Sequence, residues 1–198
     1  MKHIIISLFL LAFCLSESFG QGADSESSRF VSRGKFVSLA EVGIAKGNSR
    51  QTPSSPFIFH YGMNYSFMDN LSAGLGVGAE YYLETYLPVT ANVSWRFGDR
   101  RIIPFVTMQA GYLIGLENLR EGGYYMVDFA PNYTDIYSEG GWLFNPQAGI
   151  IIKLSKDLGI TLAAGYRRHT LRYVWDHDYY YAESVVYNRL SLKVGITF

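Results

Sequence analysis

Residues able to do chemistry are few and scattered. His60 shares a stretch with Asn64 and Ser66, and a His near a hydroxyl is the beginning of a hydrolase site. His169-Thr170 is a second such pair. Neither has an acid at a fixed spacing, so polar lining is the better account of both. Asp176-His177-Asp178 offers ligands for a divalent cation, but three adjacent residues on one loop read more simply as a solvated acidic rim. The glycines of Gly74-Leu-Gly-Val-Gly78 recur every second residue with no helix start to hold an anion. Small residues giving room to larger ones opposite explain them. No catalytic residue, cofactor or metal is therefore expected. What stands out instead is a set of ionisable residues at alternate positions within apolar stretches: Glu41, Glu80, Arg96, Lys153, Arg167, Arg189 and Lys193.

The elements that carry those residues have a period of two. In 57–67, Phe57, Phe59, Tyr61, Met63, Tyr65 and Phe67 alternate with Ile58, His60, Gly62, Asn64 and Ser66. Similar alternation runs through 74–83, 87–97, 102–114, 142–154, 160–167 and 188–198, and more weakly through 34–45. Tight turns are expected at Met68-Asp-Asn-Leu71, Gly98-Asp-Arg-Arg101 and Ser155-Lys-Asp157. Two of the remaining connections are long, about 116–141 and 175–184. The result is eight strands of roughly 9–13 residues. Soluble strands average about 5–6 residues, whereas a tilted membrane-crossing strand needs about 9–11.

Composition agrees. The 198 residues include 17 Lys+Arg and 17 Asp+Glu, so no basic stripe for nucleic acid is expected. Aromatic residues make up 16%, a level that suits strands and membrane interfaces. Met1-Lys2-His3 followed by the apolar run 4–15 and the small residues Ser18 and Gly20 has the layout of a secretory signal peptide, residues 1–20. Phe13 before Cys14 argues against a lipoprotein signal, and cleavage after Gly20 would remove the one Cys. Residues 21–33, Ser-rich and without periodicity, read as a flexible lead-in to a barrel over 34–198.

A soluble lipocalin also has eight up-and-down strands, but its interior is apolar. Here one face carries the seven ionisable residues. Burying them inside a soluble barrel would cost several kcal/mol per ion, while the lumen of a membrane barrel is polar. The other face concentrates aromatics near strand ends (Phe57, Phe67, Tyr81, Trp95, Phe97, Tyr112, Trp142, Phe144, Tyr166, Phe198) around an aliphatic middle, as two membrane girdles require. The expected fold is all-β: an eight-stranded antiparallel up-and-down transmembrane β-barrel with short periplasmic turns and longer extracellular loops.

The terminal strand Arg189-Leu-Ser-Leu-Lys-Val-Gly-Ile-Thr-Phe198 and the segment Pro104-Phe-Val-Thr-Met-Gln-Ala-Gly-Tyr112 resemble the small bacterial outer-membrane barrels of the OmpX/OmpA type. The resemblance covers about residues 34–198 and is one of architecture. It implies an outer-membrane location, a lipid and lipopolysaccharide environment, and a final Phe198 read by the barrel-assembly machinery. No peptidoglycan-binding domain like that of full-length OmpA is expected.

The function expected is non-enzymatic, structural or surface-binding, by a single chain. Contacts would come from Tyr-rich loops through Tyr124, Tyr125, Tyr133, Tyr137, Tyr179, Tyr180 and Tyr181. Arg168 and Arg172, near the outer rim, are placed to meet lipopolysaccharide phosphates. Two rivals remain open: a narrow channel leaning towards anions, and a lipid-A-modifying enzyme. An eight-stranded interior is just wide enough for side chains to fill, which favours a plug over a channel.

Overall fold

In a β-strand successive side chains point to opposite faces, so the alternation above fixes two faces for every strand before any pairing is known. The computed structural model shows eight such strands: β1 (Phe36–Gly47), β2 (Phe57–Ser66), β3 (Leu71–Tyr81), β4 (Thr85–Arg96), β5 (Ile102–Gly115), β6 (Asp135–Lys153), β7 (Gly159–Asp176) and β8 (Tyr181–Thr197). It describes residue 30 and residues 34–47, 56–81, 85–116, 135–176 and 181–198, with backbone alone at 135–138, 173, 175–176, 181 and 183.

Every strand pairs antiparallel with its sequence neighbours, and β8 returns to β1 to close the barrel. Closure leaves the membrane-embedded backbone without an edge, which hydrocarbon demands because an unpaired N–H or C=O there costs several kcal/mol. The turns after β2, β4 and β6 are short. Backbone bonds close them, such as Phe67 N–H to Leu71 O at 3.0 Å and Leu154 N–H to Leu158 O at 2.9 Å. They share one rim with the start of β1 and the end of β8; short turns mark the periplasmic side of such barrels. No helix among the described residues is long and apolar enough to cross a membrane.

The faces separate as the alternation requires. Val77, Val89, Val93, Val106, Leu162, Leu192 and Val194 are exposed on the outer wall, while Glu41, His60, Gln109, Asn145 and Arg167 are buried inside. Trp95, Leu162 and Leu192 look outward and Arg96, Arg189 and Lys193 inward, the orientation opposite to a lipocalin's. Aromatic pairs mark both rims. Phe36, Tyr65 and Phe67 pack in series at the periplasmic end, the first pair tilted and the second edge-on, with centroids 5.2 Å apart in each. Near the outer rim, Tyr112 meets Trp142 edge-on at 5.6 Å and Phe57 lies 6.3 Å from Tyr81.

The strands differ from the sequence reading in one respect. β6, β7 and β8 have 19, 18 and 17 residues, and their outer ends rise as a three-stranded ribbon beyond β1 to β5. Residues 135–141 and 181–184, which read as loop in the sequence, belong to this ribbon. A register shift between Ser138 and Gly140, with Gly140 at φ 79°, interrupts its alternation. That irregularity, together with the Gly and Tyr content, hides the ribbon from a strict period-two search.

Candidate functional site

The lumen holds most of the ionisable residues of interest, in layers. At mid-height the Lys193 ammonium donates to Glu41 Oε2 at 3.3 Å and to Gln109 Oε1 at 3.2 Å, and Asn145 Nδ2 donates to the same Gln109 oxygen at 2.7 Å. Arg167 forms a buried ion pair with Glu80. Arg189 faces Arg167 across the β7–β8 ladder and stacks its guanidinium 5.4 Å above the Tyr187 ring. The same ring also stacks on His169, with centroids 5.1 Å apart. Nearer the periplasm, Arg96 donates to Ser72 and Ser66, each at 3.2 Å. Charged, amide and hydroxyl neighbours thus satisfy much of what these side chains present, as burial of polar groups requires.

Apolar clusters lie towards each end of the lumen, with Arg96 beside the periplasmic one. Towards the outer rim Tyr86, Leu113, Leu143, Leu171 and Tyr187 pack together across the lumen. Towards the periplasm Val37, Ile103, Phe105, Ile151 and Ala163 do the same, joined by Phe30. Phe30 comes from the segment read as lead-in. It is buried in the periplasmic mouth, with its N–H bonded to Asp99 Oδ1 at 3.1 Å and its ring 5.8 Å from the Lys153 ammonium. Lys153 therefore differs from the other six residues of the expected lumenal set. It sits at the rim, paired with Asp99 and partly in solvent.

His60 does not meet Ser66, whose hydroxyl is taken by Arg96. Its Nε2 lies 3.1 Å from Thr90 Oγ1 and its Nδ1 3.8 Å from Glu41 Oε2. Acid, imidazole and hydroxyl in line would be a nucleophile arrangement in an open site. Here Thr90 is also bonded to Asn92 Oδ1 at 3.1 Å and lies between the two apolar layers. The backbone of Gly76 makes this fit possible: a Cβ there would stand 2.4 Å from His60 Nε2. In the same way a Cβ on Gly149 would come within 2.8 Å of the Phe105 ring.

Two cavities lie elsewhere. One, of about 640 Å³, is an apolar groove on the lipid-facing wall beside Val42, Ile44, Ile150, Leu162 and Leu192. The other, about 460 Å³, is the periplasmic mouth between Phe30, Asp69, Arg96 and Asp99. Among the described residues no group of three or more His, Cys, Asp or Glu could hold a metal. Tyr124, Tyr125, Tyr133, Tyr179 and Tyr180 lie outside the described residues, as does the Asp-His-Asp motif beyond the backbone of Asp176. Tyr137 and Tyr181 have their backbones in β6 and β8. Phe198 closes the sheet through mutual backbone bonds with Ser38, at 2.7 and 3.0 Å.

Sequence reasoning missed the two apolar clusters, the amide bond from Asn145 to Gln109 and the bond from Thr90 to Asn92. Inward polarity was readable from alternation, but which inward residues share a level depends on stagger around the barrel.

Closed eight-strand topology, an oily exterior and a polar interior define a small outer-membrane β-barrel. Solved structures agree on that class. The outer membrane protein OprG of Pseudomonas aeruginosa superposes with a TM-score of 0.59 at 10% identity, over 85% of this chain and 97% of that one. Outer membrane protein AlkL in lipid bilayers gives 0.57 at 12% identity, over 90% and 94%. Neisserial surface protein A gives 0.56 at 14%, over 82% and 95%. No family model matches the sequence, and no curated protein does. The chain shares the closed eight-stranded fold of these outer-membrane barrels, and at these identities the likeness is one of fold.

Proposed function

We propose that this protein is a non-enzymatic barrel whose lumen is a packed plug, and that its role is structural or carried by contacts at its outer rim. The observation that carries this is the filling of the lumen: buried apolar clusters lie towards both ends of the interior, and ion-paired and hydrogen-bonded side chains occupy the space between. Ions and water crossing the barrel would have to pass Leu113, Leu143 and Leu171 at one level and Ile103, Phe105 and Ile151 at another. These side chains offer no polar atoms to offset the cost of stripping hydration. The Glu41–His60–Thr90 line serves as internal bonding in this reading, and the Tyr-rich segments supply adaptable contact area.

Processing follows the sequence expectation. A signal peptide over 1–20 is removed, 21–33 leads in, and Phe198 is the mark read by the assembly machinery. The folded chain works as a monomer, surrounded by lipopolysaccharide. Planar bilayers test the reading directly. Folded protein, verified by heat-modifiable gel mobility, is expected to give no discrete conductance; steps that shift in ion selectivity with Arg96→Glu would establish a channel instead. Unchanged lipid A mass spectra in expressing cells, with wild type and His60→Ala alike, are expected of a non-enzyme.

A further inference from the structure

We infer that the outer wall from β6 through β7 and β8 to β1 carries a docking site for the phosphorylated sugar headgroup of outer-leaflet lipopolysaccharide, built on Arg168 with Arg172, Lys46 and Trp142. This deepens the lipid environment proposed above and rests on the same orientation of the barrel.

Arg168 is the anchor. Its neighbours two residues away on β7, Tyr166 and Thr170, share its outward face, and Tyr166 is exposed in the aromatic girdle. Across the ladders Arg168 stands opposite Phe144 on β6 and Asn188 on β8. It is exposed, and among the described residues it makes no hydrogen bond or ion pair. An arginine facing lipid at girdle height is costly unless it finds an anion, because a cation becomes steadily more expensive towards the hydrocarbon. The anion within reach is the phosphate of a lipid headgroup, to which a guanidinium can donate two parallel N–H bonds.

Three further residues widen the site. Arg172 lies on the same face of β7, about 13 Å further along the strand, away from the membrane centre. Its Nε is 3.4 Å from Glu139 Oε2, and the Glu139 carbonyl accepts a bond from the Tyr112 hydroxyl at 3.3 Å. Lys46 is exposed on β1, opposite Leu190 of β8, and like Arg168 has no partner among the described residues. Trp142 is 74% exposed and is held edge-on by Tyr112. Its indole offers an apolar face for the C–H surface of a sugar, as interfacial Trp residues do at headgroup level. Beside them, the described outward side chains of β8, Ala182, Ser184, Val186 and Asn188, bring no carboxylate to oppose an anion. Two cations separated along a strand, with an aromatic surface alongside, suit a headgroup with several phosphates on a sugar backbone better than a single-phosphate lipid.

Native mass spectrometry of the detergent-folded chain, titrated with bisphosphorylated lipid A, tests this. Wild type is expected to retain the lipid. Retention should fall at least about tenfold in the R168Q/R172Q/K46Q variant, given the contribution of each basic residue at a membrane surface. It should fall similarly for wild type with enzymatically dephosphorylated lipid A or with phosphatidylethanolamine. Equal retention by the triple variant, or by wild type of the dephosphorylated lipid, overturns the site and assigns any binding to the acyl chains. If the triple variant loses heat-modifiable mobility, R168Q alone is measured with the same two outcomes. Conductance plays no part in this readout, so a failed headgroup site and a failed plug are separately visible.

Discussion

At the scale of single residues the interior is a set of obligations. Arg167 and Glu80 are both almost fully buried and satisfy one another. Truncating one partner leaves an uncompensated buried charge, which costs roughly 3–5 kcal/mol. Glu80→Gln should therefore lower the urea midpoint of folding in detergent micelles clearly. Glu80→Gln combined with Arg167→Met should recover most of that loss, read by the same titration. Gly76 is under an opposite obligation, since any side chain there collides with His60. Gly76→Val is expected to destabilise by about 1–3 kcal/mol, the usual cost of overpacking. His60→Ala in that background should relieve part of it. Recovery in the double variant would show that the collision is the cause. Alternation identified both positions as inward; neither the Arg167–Glu80 partnership nor the Gly76–His60 contact is local in sequence, so neither was legible there.

Strands impose a different rule, since each must present one face to lipid along its crossing length. Leu162 and Val106 are outward in the aliphatic belt. Leu162→Arg should cost about 2–4 kcal/mol near the midplane, measurable as a fall in the folded fraction in vesicles. The same substitution at Leu154, in the turn after β6 and exposed, should cost little. The upper ribbon changes how the loop between β5 and β6 can be tested. A deletion from Tyr124 to Glu139 cuts into the backbone pairs of Asp135, Ile136, Tyr137 and Ser138 with β7. Replacing 121–131 by a short Gly-Ser linker leaves those pairs intact. It should keep heat-modifiable mobility while removing any surface-binding phenotype. The existence of each strand was legible because a long stretch of period two matches a half-buried strand and little else. Strand length was not legible where the bulge near Gly140 breaks the period.

The whole molecule is a cylinder with an oily wall and a filled core. Its periplasmic end is closed partly by a residue outside the strands. Phe30 completes the apolar layer of Ile103, Phe105 and Ile151. Phe30→Ala should leave the barrel folded but admit small probes further into the mouth. Faster reaction of a Thr107→Cys thiol with a water-soluble maleimide would report it, and unchanged kinetics would show that the layer seals without Phe30. The sequence by itself determined the class: period two, strand lengths near ten, charges on one face and aromatics at the ends of the other are local consequences of a chain that must satisfy lipid. Tertiary structure alone decided the packing of the lumen. Which inward residues meet is set by closure and by the stagger of eight strands, and that brings Lys193 to Glu41 and Arg167 to Glu80 across 152 and 87 residues of chain. No periodicity encodes those meetings, because they arise only when the last strand pairs with the first.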